Sequence, residues 1–150
     1  MNLKHLKNTD TLEFFTIDEN SLSAIPLFSD SVQAGFPSPA EDHMDMDLNL
    51  NDHLVHNPSA TFCVKAIGES MKDAGIKSGD IMIVDKSLEP KNRSIVLAVI
   101  DGEFTVKRVN MNENELYLIP ENSNFSPIKI TQEMDFQVWG VVTYIIHKTV

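Results

Sequence analysis

The chain has 150 residues, 42% hydrophobic and 23% charged, which is the composition of an ordinary globular domain and excludes a fibrous or wholly disordered one. Twenty-two acids against twelve bases give a net charge of −10, and residues 1–50 hold nine of the acids but two of the bases. No basic block is present to neutralise phosphates, so direct sequence-specific DNA binding is excluded.

Residues 1–24 show little periodicity. Leu3, Leu6, Leu12, Phe14, Phe15 and Ile17 are scattered among polar residues, and the segment reads as a weakly ordered arm. Residues 25–42 carry Pro26, Gly35, Pro37 and Pro39, which argue for an extended or looping chain. Within them the uncharged run Ser31–Phe36 is a candidate strand. Met44, Met46, Leu48 and Leu50 then alternate with Asp45, Asp47 and Asn49, the period of two of a half-buried strand. Asn49 or Asn51 is placed to cap a short helix through Leu54-Val55, stopped by Pro58. Ala60–Ala66 is the next strand. Gly68–Gly75 reads as a tight turn into a short helix, with Gly75 as a left-handed cap. Ser78-Gly79-Asp80 is a turn before the strand Ile81–Val84. Asp101-Gly102, between the apolar runs Ser94–Ile100 and Glu103–Val109, is a strong hairpin signal. Leu116–Ile119 and Phe136–Ile146 complete the set, with Gly140 marking a bulge. These strands predict a mainly β domain, β-rich α+β, over residues 40–150.

Few residues offer chemistry. Cys63 is the single cysteine, which excludes an internal disulfide and a cysteine-based zinc site. Its place in Phe62-Cys63-Val64 predicts a buried structural thiol, and a chain without disulfides fits a reducing cytoplasm. The histidines show no metal-ligand spacing, and His53 and His56, three apart, read as solvated or capping. The glycines form no phosphate loop. No apolar leader follows Met1. The longest apolar run, Val138–Ile146, is far shorter than the about twenty residues that span a bilayer. The expectation is a cytoplasmic protein without membrane contact.

Ser70 lies where a strand gives way to a short helix, beside backbone N–H groups that the helix leaves unpaired. Such donors can stabilise an oxyanion, and the same position also suits a plain helix cap. Lys107 lies in Phe104-Thr105-Val106-Lys107-Arg108-Val109, on the strand face it shares with Thr105 and Val109. It is either an ordinary exposed lysine or a partly desolvated one whose lowered pKa makes it a base. Serine with lysine is a known pairing for acyl chemistry without histidine.

The run FCVKAIGESMKDAGIKSGDIMIVD at Phe62–Asp85, with DGEFTVKRV at Asp101–Val109, resembles the self-cleaving Ser-Lys peptidase domain of the LexA/UmuD family. PLFSDSVQAGFPSPA at Pro26–Ala40 resembles the UmuD branch. Pro58–Thr61, Pro120-Glu121-Asn122-Ser123 and Ser126–Ile128 match further, so the resemblance covers about residues 25–146. It implies that Ser70 is the nucleophile, that Lys107 is its general base, and that the backbone N–H groups of Glu69 and Ser70 form the oxyanion hole. It implies that Ala34-Gly35 is the scissile bond, so that self-cleavage removes an arm, residues 1–34, from a Ser-Lys peptidase-like β domain, residues 35–150. No cofactor and no metal are implied.

The partners implied are a second copy of the chain in a homodimer, the RecA filament on single-stranded DNA that forms in the SOS response, and a Y-family, UmuC-like polymerase subunit for error-prone translesion synthesis. Within the family, LexA-type repressors carry a helix-turn-helix module ahead of the bond. The 34 residues here, with five acids and two bases, are too short for one and of the wrong sign. Signal peptidases share the dyad but need a membrane anchor. The bond is Ala-Gly, as in LexA-type repressors, where the UmuD pattern has Cys-Gly; both keep a small residue before glycine. The chain also begins earlier than the UmuD pattern. The alternative from another class is a non-enzymatic dimeric regulator, or a transcriptional co-repressor of the damage response, with a vestigial dyad.

Overall fold

Runs of β-branched and aromatic residues separated by glycine and Asx turns pair largely with their neighbours in the chain, except that the last run inserts between two earlier ones. In the computed structural model, which describes residues 1–8, 12–18, 24–27 and 46–150, they build a mainly β fold, as expected. The strands are β1 (Leu3–Asn8), β2 (Leu12–Ile17), β3 (Ala24–Leu27), β4 (Met46–Asn49), β5 (Thr61–Ala66), β6 (Ile81–Asp85), β7 (Ile95–Ile100), β8 (Glu103–Met111), β9 (Leu116–Ile119), β10 (Ile128–Lys129) and β11 (Phe136–Ile146). Nine of them form one antiparallel sheet in the order β1-β2-β5-β6-β11-β7-β8-β9-β10, and β3 pairs with β4 in a second. One short helix, α1 (Leu50–Leu54), follows β4, and Asn49 caps it by accepting the Asn51 N–H at 3.0 Å.

The long strand β11 fixes the middle of the sheet, pairing with β6 on one side and β7 on the other. Its register with β7 shifts between Val138 and Gly140, the bulge that the glycine announced. A Cβ at Gly140 would stand 2.7 Å from Val84 Cγ1 and 2.9 Å from the Asp85 carbonyl oxygen, so only glycine allows this approach. The β7–β8 hairpin turns at Asp101 and Gly102, both with positive φ (48° and 85°), which matches the right-handed twist of the flanking strands. Both faces of the central sheet are covered. Leu97, Val106, Met82 and Val84 pack in one cluster, while Val96, Ala98, Val109 and Leu118 pack in another.

The N-terminal segment contains more regular structure than its sequence announced. β1 and β2 form a hairpin, and β2 pairs antiparallel with β5, setting Leu12 opposite Ala66 and Phe15 opposite Cys63. Phe14 packs in the Met82 cluster and Phe15 against the Cys63–Ile83 cluster on the other side. A strand buried on both faces has no polar alternation to betray it. The candidate strand Ser31–Phe36, the Ala34-Gly35 bond and Met44 lie outside the described residues.

Candidate active site

The nucleophile candidate sits on a turn whose shape is set from both ends. β5 stops at Ala66, and Gly68, with φ at 97°, bends the chain away from the strand direction. Its N–H donates to Ser78 Oγ at 3.3 Å. Met71 and Ile76 bury their side chains in the main core cluster and anchor the turn from below. The Gly79 N–H donates to the Ala66 carbonyl and the Ala66 N–H to the Asp80 carbonyl, each at 2.8 Å, closing the loop back into β6. The expected short helix is a single 3₁₀ turn, Lys72–Ala74, and Gly75 ends it in the left-handed conformation expected of it. Its capping residue is Met71, and no side chain caps it. The cap reading of Ser70 therefore falls.

The Ser70 hydroxyl instead faces Lys107, with 3.4 Å between Oγ and Nζ. Lys107 belongs to β8 and lies opposite Val96, a fully buried residue of β7. The lysine is itself only 8% exposed, so it is not the ordinary surface lysine of the alternative reading. Burial holds its amine below the usual lysine range, because the charged form loses its water. Nζ has two further partners, Thr105 Oγ1 at 2.6 Å and the Val106 carbonyl at 3.0 Å. A neutral amine has two hydrogens and one lone pair. With both hydrogens donated to these oxygens, the lone pair is left for the Ser70 hydroxyl.

The pair opens into a cavity of about 280 Å³, walled by Ile67, Met71, Ile76, Phe104 and Phe125, and by Leu12 of the N-terminal hairpin. Among the described residues, the backbone N–H groups of Glu69 and Ser70 donate to no protein acceptor, so both are available beside the hydroxyl. Cys63, fully buried, has its thiol pushed up to about 12 by burial, and it does not line this cavity. His53 and His56 form no cluster with other metal-ligating groups among the described residues.

The chain from residue 26 to 143 matches the family model described as Peptidase S24-like. The chain belongs to the S24-like peptidase family. It is 47% identical to Protein SamA of Salmonella typhimurium over 127 residues, which is 85% of this chain and 88% of that protein. It is 42% identical to Protein ImpA of Escherichia coli over 83% of this chain and 84% of that protein. Against Protein MucA of Escherichia coli the identity is 40%, over 81% and 83%. The UmuD-like resemblance carried by the Ser70 and Lys107 motifs is thereby borne out. No helix among the described residues is long and apolar enough to cross a membrane.

Sequence reasoning singled out Ser70, Lys107 and Glu69, and the fold brings them together. It gave no site role to Leu12, Thr105 and Phe125, which line the cavity. Thr105 was within reach, since residues two apart on a strand share a face. Leu12 was not, because its place depends on pairing 54 positions away, with Ala66.

Proposed function

We propose that the chain is a self-cleaving serine endopeptidase of the SOS response that cuts its own Ala34-Gly35 bond. The observation that carries this reading is the 3.4 Å approach of Ser70 Oγ to a buried Lys107 Nζ whose other two bonds are already taken. The bond is presented to Ser70 as an extended strand. Neutral Lys107 takes the hydroxyl proton as Oγ bonds to the Ala34 carbonyl carbon, and negative charge collects on the carbonyl oxygen. The Glu69 and Ser70 N–H groups stabilise that charge. The tetrahedral species collapses as the C–N bond breaks, and the proton held by Lys107 passes to the departing amine of Gly35. Water, deprotonated by Lys107 in its turn, hydrolyses the acyl-enzyme and frees the Ala34 carboxylate. Arm residues 1–34 leave, and residues 35–150 remain.

The RecA filament on single-stranded DNA assists the cut, and the processed homodimer serves as an accessory subunit of a Y-family, UmuC-like polymerase in translesion synthesis. The proteins act in the cytoplasm. The test is intact mass of purified protein held between about pH 7 and 10, alone or with RecA, ATP and single-stranded DNA. Fragments 1–34 and 35–150 are expected, with faster cleavage in the presence of the filament and none from Ser70→Ala. A new N-terminus other than Gly35, or unchanged cleavage by Ser70→Ala, overturns the reading. For the polymerase role, residues 35–150 should retain a UmuC-like subunit on a column, and failure to do so removes that part alone.

A further inference from the structure

The motif Pro120-Glu121-Asn122-Ser123 takes no part in the dyad, yet its loop is tied to both of the dyad's supports. The Glu121 carboxylate pairs with Arg108 Nε, one residue beyond Lys107. The Glu121 carbonyl accepts the Asp73 N–H at 2.8 Å, on the 3₁₀ turn that follows Ser70. Asn122 is 5% exposed, and both ends of its side-chain amide are engaged. Its Oδ1 accepts the Asn124 N–H at 3.0 Å, and its Nδ2 donates to the Glu69 carbonyl at 2.8 Å, the shorter of that carbonyl's two bonds, the other coming from the Lys72 N–H at 3.2 Å. The first of these bonds settles which end of the amide is which.

The Glu69 carbonyl and the Ser70 N–H belong to one peptide unit. That unit is planar and trans, so its C=O and N–H point in opposite directions. Holding the carbonyl toward Asn122 therefore holds the Ser70 N–H facing away from Asn122. We propose that Asn122 is a positioning residue for self-cleavage: it fixes the Glu69–Ser70 peptide so that the Ser70 N–H is aimed at the oxyanion formed when Ser70 attacks. This rests on the dyad reading above and adds to it the group that holds the oxyanion donor in place before the reaction. A donor fixed in advance stabilises the developing charge without reorganising.

Asn122→Asp tests this at nearly constant shape. It keeps the acceptor for the Asn124 N–H and sets a carboxylate oxygen against the Glu69 carbonyl, which turns the peptide. Two reactions of residue 70 separate the roles. Self-cleavage and labelling by a fluorophosphonate build charge on an oxygen at the site, whereas alkylation of a Ser70→Cys protein by iodoacetamide does not. Asn122→Asp is expected to slow the first two by roughly 10- to 100-fold, less than the loss of a donor itself. It should leave alkylation in the Ser70→Cys background about as fast as before, and it should not move the pH midpoint set by Lys107. Equal slowing of all three reactions, or a shifted midpoint, overturns the inference, because Asn122 would then support the fold or the base. Should an early melt show that Asn122→Asp unfolds, Asn122→Ser, which removes the side-chain donor and leaves the Glu69 carbonyl to the longer Lys72 N–H bond alone, carries the same readouts. Wild-type protein that neither cleaves nor takes the label overturns the dyad reading and this inference with it. An active wild type with an unimpaired Asn122→Asp overturns the inference alone.

Discussion

The two halves of the candidate dyad are held by different kinds of structure. Lys107 lies on β8, a strand paired on both sides, by β7 and β9, and packed on both faces. Ser70 lies on a turn after β5, and the outer edge of β5 is covered by the hairpin β1–β2, whose own outer strand has no further neighbour in the sheet among the described residues. β5 and β8 each stand third from an edge of the sheet, so the difference lies in the element itself: the base is fixed within a paired strand, and the nucleophile on the turn that follows one. A buried amine needs a rigid, dry wall to keep its proton affinity low, and a strand paired on both sides supplies one. A nucleophile needs an approach path, and a turn supplies that.

The largest expected effect tests the strand that holds the base. Lys107→Arg should abolish self-cleavage at every pH up to about 10, because a guanidinium stays charged there. In the wild type the rate should rise with pH, since attack needs the neutral amine. Burial lowers the Lys107 pKa, so the rise should reach its midpoint below the ordinary lysine value of about 10.4. Intact-mass time courses across the pH range check both statements. A flat profile, or cleavage by Lys107→Arg, would show that β8 does not supply the base.

The second prediction tests the margin. Phe14 on β2 is buried, with its ring 4.9 Å from that of Phe104 on β8 and 6.2 Å from that of Phe62 on β5, centroid to centroid. If the hairpin unfolds together with the central sheet, Phe14→Ala should cost about 3 kcal/mol in urea denaturation. Hydrogen exchange of the β2 amides should then slow to the global unfolding rate. A cost below about 1 kcal/mol, with fast β2 exchange beside a protected β11, would show that the margin opens alone.

The same division decides what could be read from the sequence. The β7–β8 hairpin was legible because its signal is local: an Asp-Gly pair between apolar runs fixes turn and register together. Ser70 and Lys107 were legible as candidates for the same reason, each in a compact motif. Their 3.4 Å contact spans 37 residues, and the residues alone left both the cap and the exposed-lysine readings open. The hairpin β1–β2 was not legible. Phe14 and Phe15 are adjacent apolar residues that face opposite clusters, so no period of two appears, and the edge of β5 that receives them lies some fifty residues away in sequence. Asn122 stood in a matched motif, but only the packed loop shows that its amide meets the Glu69 carbonyl.

The smallest expected effect concerns the pin that joins the end of β11 to the Ser70 loop. His147, just past the end of β11, holds Nδ1 2.6 Å from Oδ1 of Asp80, in the loop that returns from the Ser70 turn to β6. Asp80 is 3% exposed, and its Oδ2 accepts the Lys77 N–H at 2.8 Å. Burial pushes the Asp80 carboxyl up, but the His147 bond and the Lys77 N–H, with the charges nearby, outweigh it and leave the net pKa below the ordinary value. A carboxyl lowered in this way contributes stability that is fully present above its unfolded pKa, near about 3.9, and is lost as pH falls through the folded value. His147→Ala removes one of the groups that lower it. The half-exposed histidine screens the effect, so the cost at pH 7 should be about 1 kcal/mol. The gap between variant and wild type in urea midpoints should close between pH 7 and a pH low enough to protonate Asp80 in both proteins, which lies below the ordinary carboxyl value. A gap of the same size at both pH values would mean that His147 joins the two regions by packing, and that the charge on Asp80 plays no part in holding the Ser70 loop to the centre of the sheet.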